Sequence, residues 1–155
     1  MNESIEPAGP TRRTLLRGAI LLTVLPRPLA AAPEDVQRAM HAAFGDRVIK
    51  PGRVHLKLPA LAENGNSVRL SVSVDSPMTA DDHVQFVQLF AEQNPLPDIA
   101  RFEFSPASGS AAVETRIRLS AEQDVVAVAG LSNGSLWSGS AHIVVTEAAC
   151  IDALI

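Results

Sequence analysis

Hydrophobic positions along the chain change character twice. Residues 18–25 form one short continuous apolar run; from Pro33 to Gly45 the apolar positions take a helical period, and from Val54 onward they alternate. In the helical stretch Val36, Ala39, Met40, Ala43 and Phe44 fall at i, i+3, i+4, i+7 and i+8, a single stripe that predicts a packing face. Pro33, Glu34 and Asp35 suit a first turn, with its free N–H groups and positive dipole end, and Gly45 supplies the stop.

The alternating part reads as strands. Val54, Leu56 and Leu58 alternate with His55 and Lys57 until Pro59, and Glu63-Asn64-Gly65-Asn66 has the chemistry of a turn. Val68, Leu70, Val72 and Val74 alternate with polar residues until Ser76-Pro77-Met78-Thr79 breaks the run. Val84–Phe90 is less regular, and its β-branched and aromatic content favours strand over helix. After Asn94-Pro95-Leu96-Pro97 come Ala100, Phe102 and Phe104, then the loop 105–110, then Val113, Thr115, Ile117 and Leu119 with a charged outer face. Val125–Leu131 is apolar on both faces, as a central strand would be; Asn133-Gly134 predicts a hairpin into Leu136-Trp137 and a last run to Thr146. About seven short strands with turns every 8–12 residues predict an all-β fold, an immunoglobulin-like β-sandwich with a short N-terminal helix and a flexible C-terminal arm. The cysteine pair of antibody domains is absent, so the likeness at this level is architectural.

The first 32 residues are of a different kind. Arg12-Arg13 and Arg17 precede the apolar run, and Pro28-Leu29-Ala30-Ala31-Ala32 follows it, which reads as an export signal of twin-arginine type. Cleavage is expected near Ala31 or Ala32, and the run is too short to anchor the chain in a bilayer. The expected organisation is therefore a signal at 1–32, a sandwich domain at 33–147 and an arm at 148–155. Removing 1–32 takes four arginines and two glutamates from 13 basic and 17 acidic residues, leaving 9 and 15 and a net charge of −6. So acidic a chain, with no basic run, argues against nucleic acid and against anionic membranes as partners.

Little in the chain is equipped for catalysis. The histidines at 41, 55, 83 and 142 have no ligand spacing, and Asp81-Asp82-His83 reads as a turn that opens the next strand rather than as a metal site. There is no phosphate-cradling glycine loop, no Gly-x-Ser-x-Gly elbow and no Cys-x-x-Cys. Trp137 reads as a core residue. What remains is Cys150, the single cysteine, four residues beyond the last strand. It cannot close an internal disulfide, and in an oxidising compartment an odd cysteine points to an intermolecular bond or a thiol kept for chemistry. Glu147 and Asp152 oppose thiolate formation, so a few per cent thiolate at neutral pH is expected from the ordinary thiol pKa of about 8.5. Such a thiol suits a carrier, activated inside another protein's site, better than an enzyme working alone.

Several stretches carry a family resemblance. Glu63-Asn64-Gly65-Asn66-Ser67-Val68, Val74-Asp75-Ser76-Pro77-Met78-Thr79, Leu89-Phe90-Ala91-Glu92-Gln93-Asn94-Pro95, Ala127-Val128-Ala129, Trp137-Ser138-Gly139, and Val145-Thr146 before a near-terminal cysteine together resemble SoxY. SoxY is the sulfur-carrier subunit of the periplasmic thiosulfate-oxidising (Sox) system. The resemblance implies an immunoglobulin-like sandwich paired with a SoxZ subunit as a heterodimer, with no cofactor of its own. It also implies that Cys150 is the site of covalent sulfur attachment. Separate enzymes, a haem-containing loading enzyme and a sulfate-releasing hydrolase among them, would act on the attached sulfur. The family's usual arm is Gly-Gly-Cys-Gly-Gly; here it is Ala148-Ala149-Cys150-Ile151-Asp152, a divergent form with bulk immediately after the thiol. The rival reading is a non-catalytic immunoglobulin-like interaction module whose Cys150 is inert or paired with a partner chain.

Overall fold

The computed structural model describes residues 33–149; the expected export signal at 1–32 and residues 150–155 of the expected arm, Cys150 among them, lie outside the described residues. Helix α1 spans Pro33–Phe44 and closes at Gly45, whose φ is +63° and whose N–H donates to the His41 carbonyl at 2.7 Å. The strands are β1 (Ile49–Pro51), β2 (Val54–Lys57), β3 (Leu61–Asn64), β4 (Val68–Val74), β5 (Val84–Ala91), β6 (Asp98–Glu103), β7 (Ala112–Ile117), β8 (Gln123–Leu131) and β9 (Leu136–Glu147). They form two sheets. One has the order β1-β9-β8-β5-β6, with β3 also on β9; the other has the order β2-β4-β7. The expected immunoglobulin-like sandwich is what forms.

Two strands were not expected from the pattern. β1 and β3 are three and four residues long and lie parallel to the two ends of β9, pairing Ile49 with Leu136 and Leu61 with Val144. β1 is too short to show a period of two, and Leu61-Ala62-Glu63-Asn64 does not alternate. Glu63 and Asn64, expected in a turn, therefore end β3. The turn itself is a 3-10 turn at Gly65–Ser67, where the Asn64 side chain accepts the Asn66 N–H at 2.7 Å. Three expected strand ends also fall outside the strands observed, at Leu58, Phe104 and Leu119.

The sandwich interior is built from the inward halves of the alternating strands. Leu70, Val72, Val87, Leu89, Val125, Ala127 and Ala129 are buried there. A second core lies on the outer face of the large sheet, where Val36 and Phe44 of α1 cover Phe90, Val128 and Leu136. The Phe44 ring meets Phe90 edge-on and stacks on Phe86, with centroids 6.0 Å apart in each case. Each such side chain contributes roughly 1.5–3 kcal/mol by leaving water. This second core explains why β5 and β8 are apolar on both faces: one face looks into the sandwich and the other lies under the helix. The two sheets approach closely where the chain passes from β1 in the large sheet to β2 in the small one. A Cβ at Gly139 would stand 2.2 Å from the Val54 carbonyl oxygen, so only glycine fits there.

Candidate functional site: the seat of the C-terminal arm

The last described residue, Ala149, immediately precedes Cys150, so what holds Ala149 sets where the terminal segment leaves the sandwich. Beyond β8's reach, β9 is gripped on its other edge. Val144 N–H donates to the Ala60 carbonyl at 3.0 Å, and Thr146 Oγ1 donates to the Glu63 carbonyl at 2.9 Å. Past the end of β9 the Ala149 N–H donates to the Leu119 carbonyl at 3.3 Å, and the Leu119 N–H in turn donates to the Gly65 carbonyl at 2.9 Å. Three chain segments thus converge on Gly65. A Cβ there would lie 2.1 Å from the Leu119 oxygen and 3.2 Å from the Ala149 nitrogen. Glycine is the residue that lets them meet.

A buried polar network stiffens this seat. Asn94 is only 6% exposed and Gln123 only 4%, so their amides need partners inside the protein. Asn94 Nδ2 donates to the Arg118 carbonyl at 2.8 Å, and Asn94 Oδ1 accepts the Ser120 N–H at 3.0 Å and Gln123 Nε2 at 3.1 Å. Gln123 Oε1 accepts the Gln93 N–H at 2.8 Å, and the Ser120 hydroxyl donates to the Gln93 carbonyl. The backbone on both sides of Leu119 is therefore clamped, and with it the carbonyl that receives Ala149. Beside the seat, between β6 and β7, runs a groove of about 520 Å³. Leu96, Ile99, Ile117 and Ala149 form apolar parts of its wall, and Arg116 and Arg118 also line it. Leu96 is 78% exposed, held outward between two prolines.

The other candidates are dispersed. His41 lies 3.1 Å from Asp46, and His55 lies 2.8 Å from Asp75. His142 contacts Asp124 at 2.9 Å and Glu122 at 3.3 Å. The hydrogen bond to Asp124 raises the His142 pKa above its ordinary value against an opposing desolvation, and the charge of Asp124 and the contact with Glu122 add to the rise. Asp81-Asp82-His83 forms the expected turn: Thr79 N–H donates to the Asp82 carbonyl at 2.9 Å, Asp82 N–H to Thr79 Oγ1 at 3.1 Å, and His83 Nδ1 contacts the Thr79 carbonyl at 3.1 Å. Trp137, expected in the core, is only half-buried and packs against it. Its Nε1 donates to Ser135 Oγ at 3.1 Å, and Lys50 and Arg53 stand 5.6 and 5.1 Å from its ring. Among the described residues no cluster of three or more His, Cys, Asp or Glu side chains is placed to hold a metal, and no helix is long and apolar enough to cross a membrane.

Sequence reasoning named Cys150 but not the seat. Gly65 and Asn94 stood inside stretches that carry the family resemblance, so a signal for them existed. Leu119, Ser120 and Gln123 had none, because their roles depend on contacts with segments distant in the chain.

An immunoglobulin-like sandwich of this topology is shared by sulfur carriers and by superoxide reductases. The structure of the sulfur carrier protein SoxY from Chlorobium limicola f thiosulfatophilum matches with a TM-score of 0.62 and 25% identity, covering 73% of this chain and 97% of that one. A putative superoxide reductase from Thermotoga maritima matches at 0.55 and 21%, covering 64% and 95%. The superoxide reductase (neelaredoxin) from Ignicoccus hospitalis matches at 0.54 and 16%, covering 76% and 95%. At those identities the last two speak for the fold alone. No curated protein matches the sequence. The family model for sulfur oxidation protein SoxY matches residues 40–150, and the chain belongs to the SoxY family.

Proposed function

We propose that this chain is a covalent carrier of sulfur intermediates in periplasmic sulfur oxidation, with the Cys150 thiolate as the point of attachment. It acts as a heterodimer with a SoxZ-like subunit, after export through the signal at 1–32. It is not itself an enzyme. The observation that carries the reading is the clamped hydrogen bond between Ala149 and Leu119, one residue before the sole cysteine. It makes the sandwich a stiff mount for whatever follows it. Family membership, and the likeness to the Chlorobium sulfur carrier, support the same conclusion.

The chemistry divides between carrier and partners. Joining the thiolate to the outer sulfur of thiosulfate makes an S–S bond and releases two electrons, which a haem-containing loading enzyme would take up one at a time and pass to its own electron acceptors. Water delivered by a hydrolase then takes off the terminal sulfonate as sulfate and two protons, leaving a persulfide on Cys150. The chain's own part is to bind and present. Glu147 beside the arm disfavours the free thiolate, so activation falls to the partner's site.

Incubation with thiosulfate and a haem-containing loading enzyme should add a sulfur-containing mass to the intact protein, and Cys150→Ala should abolish it. An unmodified mass in an extract that oxidises thiosulfate would sink the reading. A thiol that resists a small alkylating reagent in the native protein would favour the rival, an interaction module with an inert or intermolecularly paired Cys150.

A further inference from the structure

The outer face of the small sheet carries charge against the trend of the chain. Arg69 on β4 stands directly opposite Arg116 on β7, and Arg118 follows two residues later; all three are exposed. Like charges opposed across a strand pair weaken it. Arg116 Nη1 donates to the carbonyl and hydroxyl of Ser67, both at 3.3 Å, rather than to a carboxylate. Among the described residues, none of the three arginines has a carboxylate at ion-pair distance. In a mature chain with 15 acids for 9 bases, leaving three neighbouring cations unpaired has a cost that a ligand would offset.

Their position indicates which ligand. Arg116 and Arg118 line the groove that Ala149 also lines, and one peptide unit of about 3.8 Å separates Ala149 from Cys150. The carboxylate in that groove, Asp98, already accepts the Gln88 amide at 2.7 Å. Glu147 and Asp152 flank the cysteine in sequence, so an anion brought to the thiol meets repulsion unless cations nearby counter it. We propose that Arg116 and Arg118, with Arg69 behind them, form an oxyanion site at the seat of the arm. It recruits and holds the sulfonate end of thiosulfate-class cargo. Guanidinium groups offer paired N–H donors to such oxygens, which a point charge does not. The proposal rests on Cys150 being the attachment point.

The test compares two reagents that react with the same thiol. Tetrathionate is a dianion; the thiolate attacks it at a central sulfur, keeps an S–SO₃⁻ group and releases thiosulfate. 2,2′-Dithiodipyridine is neutral; the thiolate keeps one thiopyridyl group and releases the other as 2-thiopyridone. In the full chain at low ionic strength, the Arg116→Gln/Arg118→Gln double variant should react with tetrathionate about three-fold or more slowly, with its dithiodipyridine rate unchanged. The gap should close in high salt, and Arg38→Gln on α1 should show none. Equal tetrathionate rates in variant and wild type overturn the proposal. So does a parallel fall with both reagents, which would mean that the arginines only position the arm. A wild-type thiol that reacts with neither reagent is a different failure: it removes the carrier reading, and this site with it.

Discussion

The two sheets are written in the same alternating code, yet their outer faces are put to opposite uses. On the large sheet, Phe86, Phe90, Val126 and Val128 face outward and are covered by α1, so its central strands are buried on both sides. On the small sheet, Arg69, Ser71, Ser73, Glu114 and Arg116 face outward, and among the described residues no layer lies over them. The large sheet therefore packs into two cores and the small sheet into one. The small sheet, with one face in water, is free to carry charge beside the arm. The division also explains where the seat lies: at the end of the sandwich where β9 has outrun β8 and the connection after β7 turns back, so that neither sheet's ladder occupies the backbone groups that hold Ala149.

The largest effect is expected at the covered face. Phe90→Ala removes a side chain that is fully buried beneath α1, and a loss of about 3–5 kcal/mol in urea-unfolding free energy is expected. A loss under about 1 kcal/mol would mean that the helix layer contributes little, and the contrast between the sheets would fail.

The seat should respond less in stability and more in local order. At Gly65→Ala the new methyl would sit 2.1 Å from the Leu119 carbonyl oxygen, a backbone atom, so the strands around it must shift. About 1–3 kcal/mol is the expected cost, by analogy with overpacking. Hydrogen exchange at the Ala149 amide should accelerate beyond the global change, because its acceptor is the displaced group. Uniform acceleration across all amides would show that Gly65 serves the fold as a whole and not the seat.

The smallest effect is expected at the uncovered end of the large sheet, where His142 faces Asp124 across β8 and β9. Its folded pKa is raised above the ordinary histidine value of 6.5, so the folded state holds the proton more tightly than the unfolded one. The stabilisation is complete below about pH 6.5 and is lost as pH rises through the folded value. An NMR titration should place the His142 midpoint above 6.5, and His142→Gln should flatten stability across that window. A midpoint at or below 6.5 contradicts the carboxylate contacts.

Much of this was legible from the chain alone, and the rest was not for identifiable reasons. The stripe from Val36 to Phe44, the alternation in β4 and β7, the two-faced apolar run in β8 and the Asn133-Gly134 hairpin each belong to one local segment, and each formed there, although Ala43 of the stripe is exposed and β7 stops at Ile117, short of Leu119. β1 escaped because three residues cannot display a period, and β3 because Leu61-Ala62-Glu63-Asn64 places two apolar residues before two polar ones and does not alternate. The seat escaped because Leu119 and Gln123 are ordinary residues one by one, and the stretches that hold Gly65 and Asn94 do not say what those residues meet.

By itself the sequence determined the secondary structure of the long elements, the fold class, the acidic charge balance and the placing of one thiol beyond the last strand. Periodicity records each residue's environment within its own strand or helix, and it needs no knowledge of the rest of the chain. Only the tertiary structure decided that α1 lies over β5 and β8, that β9 takes short parallel strands on its free edge, and that Gly65, Asn94, Leu119 and Ala149 meet. Those outcomes depend on hydrogen bonds and packing between segments far apart in the chain, where the partner of a carbonyl is chosen by what the whole fold brings near it.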